Sequence, residues 1–116
     1  MRGLMKKRIL VAEDDTLIAF DIAATLRQSG YEPVGPAVSL RRARDLVAAG
    51  VDGAIIDYDL NGEAADPLIE DLEERGLPFV LASGATAHVI GVGSHSLSFD
   101  KPMLSTELVK ALQSLL

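Results

Sequence analysis

Ala54-Ile55-Ile56-Asp57-Tyr58-Asp59-Leu60-Asn61-Gly62 is an apolar run that ends on an aspartate and then turns at Asn61-Gly62. Three consecutive apolar residues bounded by turn formers read as a strand buried on both faces, and Asp57 stands where that strand leaves the sheet. In an open parallel α/β sheet, ligands bind in the crevice at the carboxyl ends of the strands. A carboxylate in that position calls for a chemical reason.

Outward from this stretch the same pattern repeats. Upstream, Ile9-Leu10-Val11-Ala12 is a second short apolar run, and it too exits on acids, Glu13-Asp14-Asp15. Downstream, Pro78-Phe79-Val80-Leu81-Ala82 leaves the sheet at Ser83-Gly84, and Leu97-Ser98-Phe99 is followed by Asp100-Lys101-Pro102. Tyr31 to Ala37 carries two prolines, which donate no ladder hydrogen bond and confine that strand to an edge.

Helical patterns alternate with these strands. Thr16 or Asp15 is placed to cap a first helix, whose Leu17, Ile18, Phe20, Ile22, Ala23 and Leu26 predict a broad buried face before Gly30 stops it. Ser39 caps a second helix closed by Gly50, and Ala64 to Arg75 is helical by pattern, with Gly76 as its stop. Glycines, serines and two histidines, His88 and His95, break any stripe between Ala85 and Ser96, so the fourth helix is expected to be short or irregular. Ser105 is the expected cap of a last helix carrying Leu108, Val109, Leu112 and Leu115.

Five βα alternations predict a flavodoxin-like (βα)5 three-layer sandwich with a parallel five-stranded sheet of order 2-1-3-4-5. The 116 residues are expected to form one domain, 1–116, with 1–8 as an N-terminal tail. With no cysteine, the fold rests on neither disulfides nor thiolate metal sites, and the expected location is the cytoplasm. No apolar run approaches a membrane span. A formal net charge of -6 is the wrong sign for gripping a phosphate backbone, so neither nucleic acid nor membrane is expected as a direct partner.

In that strand order the two acid-tipped strands are neighbours, and Glu13, Asp14 and Asp57 converge with Ser83 and Lys101 on one crevice. Three carboxylates in one pocket repel unless a cation shares the site, and an all-oxygen donor set favours Mg²⁺. Lys101 adds a mobile positive charge for a phosphoryl oxygen, Ser83 a hydroxyl donor, and Gly84 room for close approach of a backbone amide. An aspartate in such company is a candidate nucleophile for an aspartyl phosphate.

The ordered set Ile9 to Asp15, the Asp57 strand, Val80 to Gly84 and Asp100-Lys101-Pro102 resembles the receiver domain of two-component response regulators over essentially the whole chain, and most nearly the compact stand-alone receivers with a reduced fourth helix. The resemblance implies Asp57 as phosphoacceptor, Asp14 as direct Mg²⁺ ligand, Glu13 as an acid acting through water, and the Asp59 backbone carbonyl as a further ligand. It also implies Ser83 and Lys101 as the pair that binds the phosphoryl oxygens, and a cis Lys101-Pro102 bond. Ser98 stands where the family usually has an aromatic residue, which leaves Ser83, Gly84, Ser98, Phe99 and the loop from Gly84 to Ser96 as switch candidates.

The function so implied is a single-domain response regulator, not an enzyme in the ordinary sense, that takes a phosphoryl group from a histidine kinase or histidine phosphotransfer protein. It would signal by protein contact or onward phosphotransfer, as a monomer or weak dimer, to a downstream protein partner. The alternatives are a receiver-like binding module that is not phosphorylated and a small aspartate-based phosphohydrolase using Asp57 and Asp59.

Overall fold

The computed structural model describes residues 6–83, 96–100 and 104–116. Five parallel strands form one sheet: β1 (Arg8–Ala12), β2 (Glu32–Ala37), β3 (Gly53–Asp57), β6 (Phe79–Ser83) and β7 (Ser96–Asp100), in the spatial order β2-β1-β3-β6-β7. Counting only these strands, the order is the expected 2-1-3-4-5. A separate two-stranded hairpin, β4 (Asp59–Leu60) and β5 (Glu63–Ala64), lies between β3 and the third helix. The proline-bearing β2 is at an edge, and its Gly35–Pro36 bond is cis.

The layers follow from the two-residue period of the strands. Ile9, Val11, Ile55, Val80 and Ala82 face one side and pack with α1 (Thr16–Gln28) and α4 (Ser105–Leu115) through Ile22, Leu26, Leu108 and Leu112. Leu10, Ala12, Ala54, Ile56, Phe79 and Leu81 face the other, against α2 (Leu40–Ala49) and α3 (Asp66–Glu74) through Ala43, Val47, Leu68 and Leu72. All five residues of β3 are buried, which is why its sequence shows no polar alternation.

Several local expectations change. β1 starts at Arg8, whose N–H donates to Asp52 Oδ2 at 2.7 Å, one residue before the apolar run begins. Of the two expected caps of α1, Asp15 is the one used, with Oδ1 accepting the N–H groups of Leu17 and Ile18 at 3.0 and 3.3 Å. The third helix starts at Asp66 instead of Ala64, because Glu63 and Ala64 pair with Leu60 and Asp59 in the hairpin. Ser105 is the first residue of α4 and not its cap. Leu104 holds that position, its N–H donating to Glu107 Oε1 at 3.1 Å, while Ser105 Oγ donates to Asp21 Oδ2 on α1 at 2.5 Å.

The larger correction concerns α1. Its buried residues are Ala19, Ile22, Ala23 and Leu26, whereas Leu17 is 80% and Phe20 61% exposed and Ile18 is also open to solvent. The helix carries eight apolar residues in reach of a core only one stripe wide, so the surplus turns outward. The expected segment between Ala85 and Ser96, with its short fourth helix and both histidines, falls outside the described residues, which contain four helices.

This burial pattern gives a direct test. Ile22→Ala should cost about 2–5 kcal/mol in urea unfolding, as large-to-small changes in a packed core do. Phe20→Ser should stay within about 0.5 kcal/mol, as surface substitutions do. Equal losses would place Phe20 in the core.

Candidate functional site

The register of the central strands assembles the site. Ala12 of β1 is level with Ile56 of β3, so one residue further on Glu13 and Asp57 leave the sheet side by side, and Asp57 is itself level with Ala82 of β6. Glu13, Asp14 and Asp57 each offer a carboxylate oxygen, and these three atoms lie within 4.8 Å of one another. Glu13 is 3% and Asp57 6% exposed, while Asp14 is intermediate. Close packing of three acids that take no part in the core is what the sequence led one to expect at this crevice.

Backbone donors fix their orientation. The Glu13 N–H donates across to Ala37 O at 3.0 Å, and Glu13 Oε2 accepts the Asp15 N–H at 3.1 Å. Asp57 Oδ1 accepts the Asp59 N–H at 3.3 Å. Asp14 Oδ2 accepts the Asn61 N–H at 2.9 Å, a contact between residues 47 positions apart. Such bonds hold each carboxylate in one orientation, as outer-shell partners of metal ligands do. The donor set is all oxygen and contains no imidazole or thiolate, which suits a hard divalent cation.

Next to the acids is a cavity of about 190 Å³ whose described lining includes Glu13, Asp57, Ile18, Ile22, Ile55, Leu104 and Leu108. It lies between α1 and α4, which the Ser105–Asp21 hydrogen bond ties together at its rim. Most of its described lining side chains are apolar, with Glu13, Asp21 and Asp57 the acids among them.

Of the other expected site residues, Ser83 closes β6 one residue past Ala82 and pairs with Asp100 at the end of β7, at the same edge as the acids. The side chains of Ser83, Ser98 and Phe99, and the whole of Gly84, Lys101 and Pro102, lie outside the described residues, as does the expected cis bond at Lys101-Pro102. Asp59 opens the hairpin, and its Oδ1 accepts the Gly62 N–H at 2.8 Å.

Neither a protein-family model nor a curated protein matches the chain. Solved structures do. SdrG from Sphingomonas melonis Fr1 is 33% identical with a TM-score of 0.79, over 95% of this chain and 96% of that one. A response regulator receiver protein from Sinorhizobium medicae WSM419 is 23% identical with a TM-score of 0.81, over 97% and 95% of the two chains. This chain belongs to the receiver domains of response regulators. A CheY-like receiver domain from Methylobacillus flagellatus, 22% identical with a TM-score of 0.77, covers 97% of this chain and all, 100%, of its own. The receiver fold, flavodoxin-like with its switch point between β1 and β3, therefore carries the acidic group where ligands of such sheets bind.

The sequence reading missed two contacts beside the acids, Asn61 as donor to Asp14 and Tyr58 as donor to Asp66. Tyr58 Oη donates to Asp66 Oδ2 at 2.8 Å, and this hydrogen bond, then partial burial, then the charge of Asp66 raise the phenol above its ordinary value. Asn61-Gly62 is the strongest short hairpin signal a sequence offers. Nothing local to Tyr58 announces Asp66 as its partner.

The raised phenol makes a measurable prediction in divalent-free buffer. A spectrophotometric titration should show one tyrosine ionising late, and Asp66→Ala should return it toward the ordinary range. Because the folded value is raised, the bond contributes stability below the ordinary phenol value and loses it as pH climbs through the raised one. An unchanged titration in Asp66→Ala would break the assignment.

Proposed function

We propose that this receiver domain accepts a phosphoryl group on Asp57 from the phosphohistidine of a histidine kinase or phosphotransfer protein. The observation that carries the reading is the convergence of the Glu13, Asp14 and Asp57 carboxylates within 4.8 Å at the switch point of the sheet. A carboxylate oxygen of Asp57 attacks phosphorus. The P–N bond to histidine breaks as the new P–O bond forms, and the imidazole leaves with the electron pair.

Asp14, Glu13, Asp57 and the Asp59 carbonyl are the residues that would hold Mg²⁺, which when bound supplies positive charge for the phosphoryl oxygens. Asp57 is oriented by the Asp59 N–H on its Oδ1. Its burial to 6% exposure keeps bulk water from solvating the nucleophile. Ser83, level with Asp100, and Lys101, the residue after Asp100 in sequence, are assigned to the phosphoryl oxygens on the strength of the family resemblance.

Exposed apolar side chains beside the site support a protein as donor. Leu17 and Phe20 on α1 are next in sequence to Ile18 and Asp21, which line the cavity with Asp57 and with Leu104, itself 68% exposed before α4. Such residues on a small, acidic domain suit contact with an apolar protein surface. The phosphohydrolase alternative gains no support: Asp59 Oδ1 is engaged in the hairpin turn with Gly62.

Mass spectrometry after incubation with acetyl phosphate and Mg²⁺ tests the reading. The wild type should gain one phosphoryl mass and Asp57→Asn none; a phosphorylated Asp57→Asn would refute it. In Mg²⁺ calorimetry, Asp14→Ala should abolish measurable binding, and Glu13→Ala should weaken it by about tenfold. Equal losses would reverse the assignment of direct and water-mediated acid.

A further inference from the structure

The passage from a parallel strand to the next helix commonly takes two to six residues. Here the chain leaves Asp57 and inserts a hairpin before α3 at Asp66, and that hairpin is fastened at both ends. At its base, the Tyr58 N–H donates to Ala82 O at 3.0 Å and Tyr58 O accepts the Ala65 N–H at 2.7 Å, beside the Tyr58–Asp66 bond of 2.8 Å. At its tip, the Asn61 N–H donates to Asp14 Oδ2 at 2.9 Å and Asn61 Nδ2 donates to Val38 O at 3.1 Å. The hairpin thus contributes one backbone N–H to each of two converging acids, through Asp59 to Asp57 and through Asn61 to Asp14.

We propose that Asn61 is a positioning residue for the divalent-cation site: its backbone N–H, presented by a left-handed hairpin tip that its own side chain ties to Val38, sets the orientation of the Asp14 carboxylate. The inference rests on the receiver reading above. Its physical basis is that one residue meets two requirements. The tip needs φ = 53° at position 61, followed by φ = 85° at Gly62, and asparagine is among the few residues with a side chain that tolerate the left-handed region. The amide then reaches Val38 O, next to Ser39 at the cap of α2, so the tip cannot swing away from Asp14 without losing a second bond. An N–H on one carboxylate oxygen restricts rotation of the group without neutralising it, the usual service of an outer-shell donor.

Calorimetric Mg²⁺ titration of the full chain, paired with urea unfolding in cation-free buffer, tests this with two variants. Asn61→Gly keeps the left-handed tip and the N–H but loses the tie to Val38, and should raise the Mg²⁺ dissociation constant about threefold, the worth of one exposed hydrogen bond. Asn61→Val disfavours the left-handed tip and loses the tie, and should raise it about tenfold. Asn61→Ala carries the same ordering should the valine variant fail to fold. Cation-free stability should not follow this order, because glycine also loosens the unfolded chain. Wild-type affinity in Asn61→Val or Asn61→Ala would overturn the inference and leave the receiver reading intact. Affinity that falls only in proportion to cation-free stability would also overturn it, as a purely structural role. A wild type that binds no Mg²⁺ would overturn the proposed Mg²⁺-dependent phosphoacceptor function and this inference together.

Discussion

Parallel pairing of β1 with β3 is the constraint on which the rest depends. Ile9, Leu10, Val11 and Ala12 lie level with Gly53, Ala54, Ile55 and Ile56, so two strands far apart in sequence expire at the same height. A shift of one residue would turn Ile55 toward the α2–α3 side and Ile56 toward the α1–α4 side, exchanging two cores whose volumes differ. The packing of both faces thus locks the register. The register in turn forces Glu13 beside Asp57, and electrostatic repulsion that no isolated strand would accept is held in place by apolar burial.

That arrangement leaves a net cluster of negative charge in a crevice bordered by apolar walls. The fold tolerates it because each acid is met by backbone N–H groups: Asp15 for Glu13, Asn61 for Asp14 and Asp59 for Asp57. These donors come from the turns that follow β1 and β3, so the loops and not the sheet decide how the carboxylates are aimed. The small hairpin is the clearest instance, since it adds nothing to the sheet and yet reaches back to Asp14 and to Val38.

The helices divide the labour in another way. On one side, α2 and α3 are joined at the surface by Arg44, whose Nε and guanidinium nitrogen donate to Asp71 at 2.7 and 3.2 Å. On the other, α1 and α4 meet through Ser105 and Asp21 at the edge of the cavity, and α1 turns Leu17 and Phe20 to solvent. Exposed apolar groups on the helix that lines the cavity suit contact with another protein surface.

By itself the sequence determined the five strands of the main sheet, the edge position of the proline-bearing strand, the strand order and the pair of acid-tipped strands. Continuous apolar runs with polar exits can satisfy their burial in few ways, and right-handed βα crossovers leave one sheet. It also marked Asp57, Glu13 and Asp14, because acids at the exits of two neighbouring buried strands converge on one crevice, where each taken singly would read as a turn residue. Tertiary structure decided the rest. Leu17 and Phe20 read as core and are surface, since helical periodicity does not reveal how wide a stripe the sheet can cover. Ser105 reads as a cap and is a tie to Asp21, because a hydroxyl takes whichever partner packing brings nearest. Tyr58–Asp66 and Asn61–Asp14 depend on side chains and turns meeting across eight and 47 residues, a distance over which local pattern carries no information and only the closed fold supplies the partner.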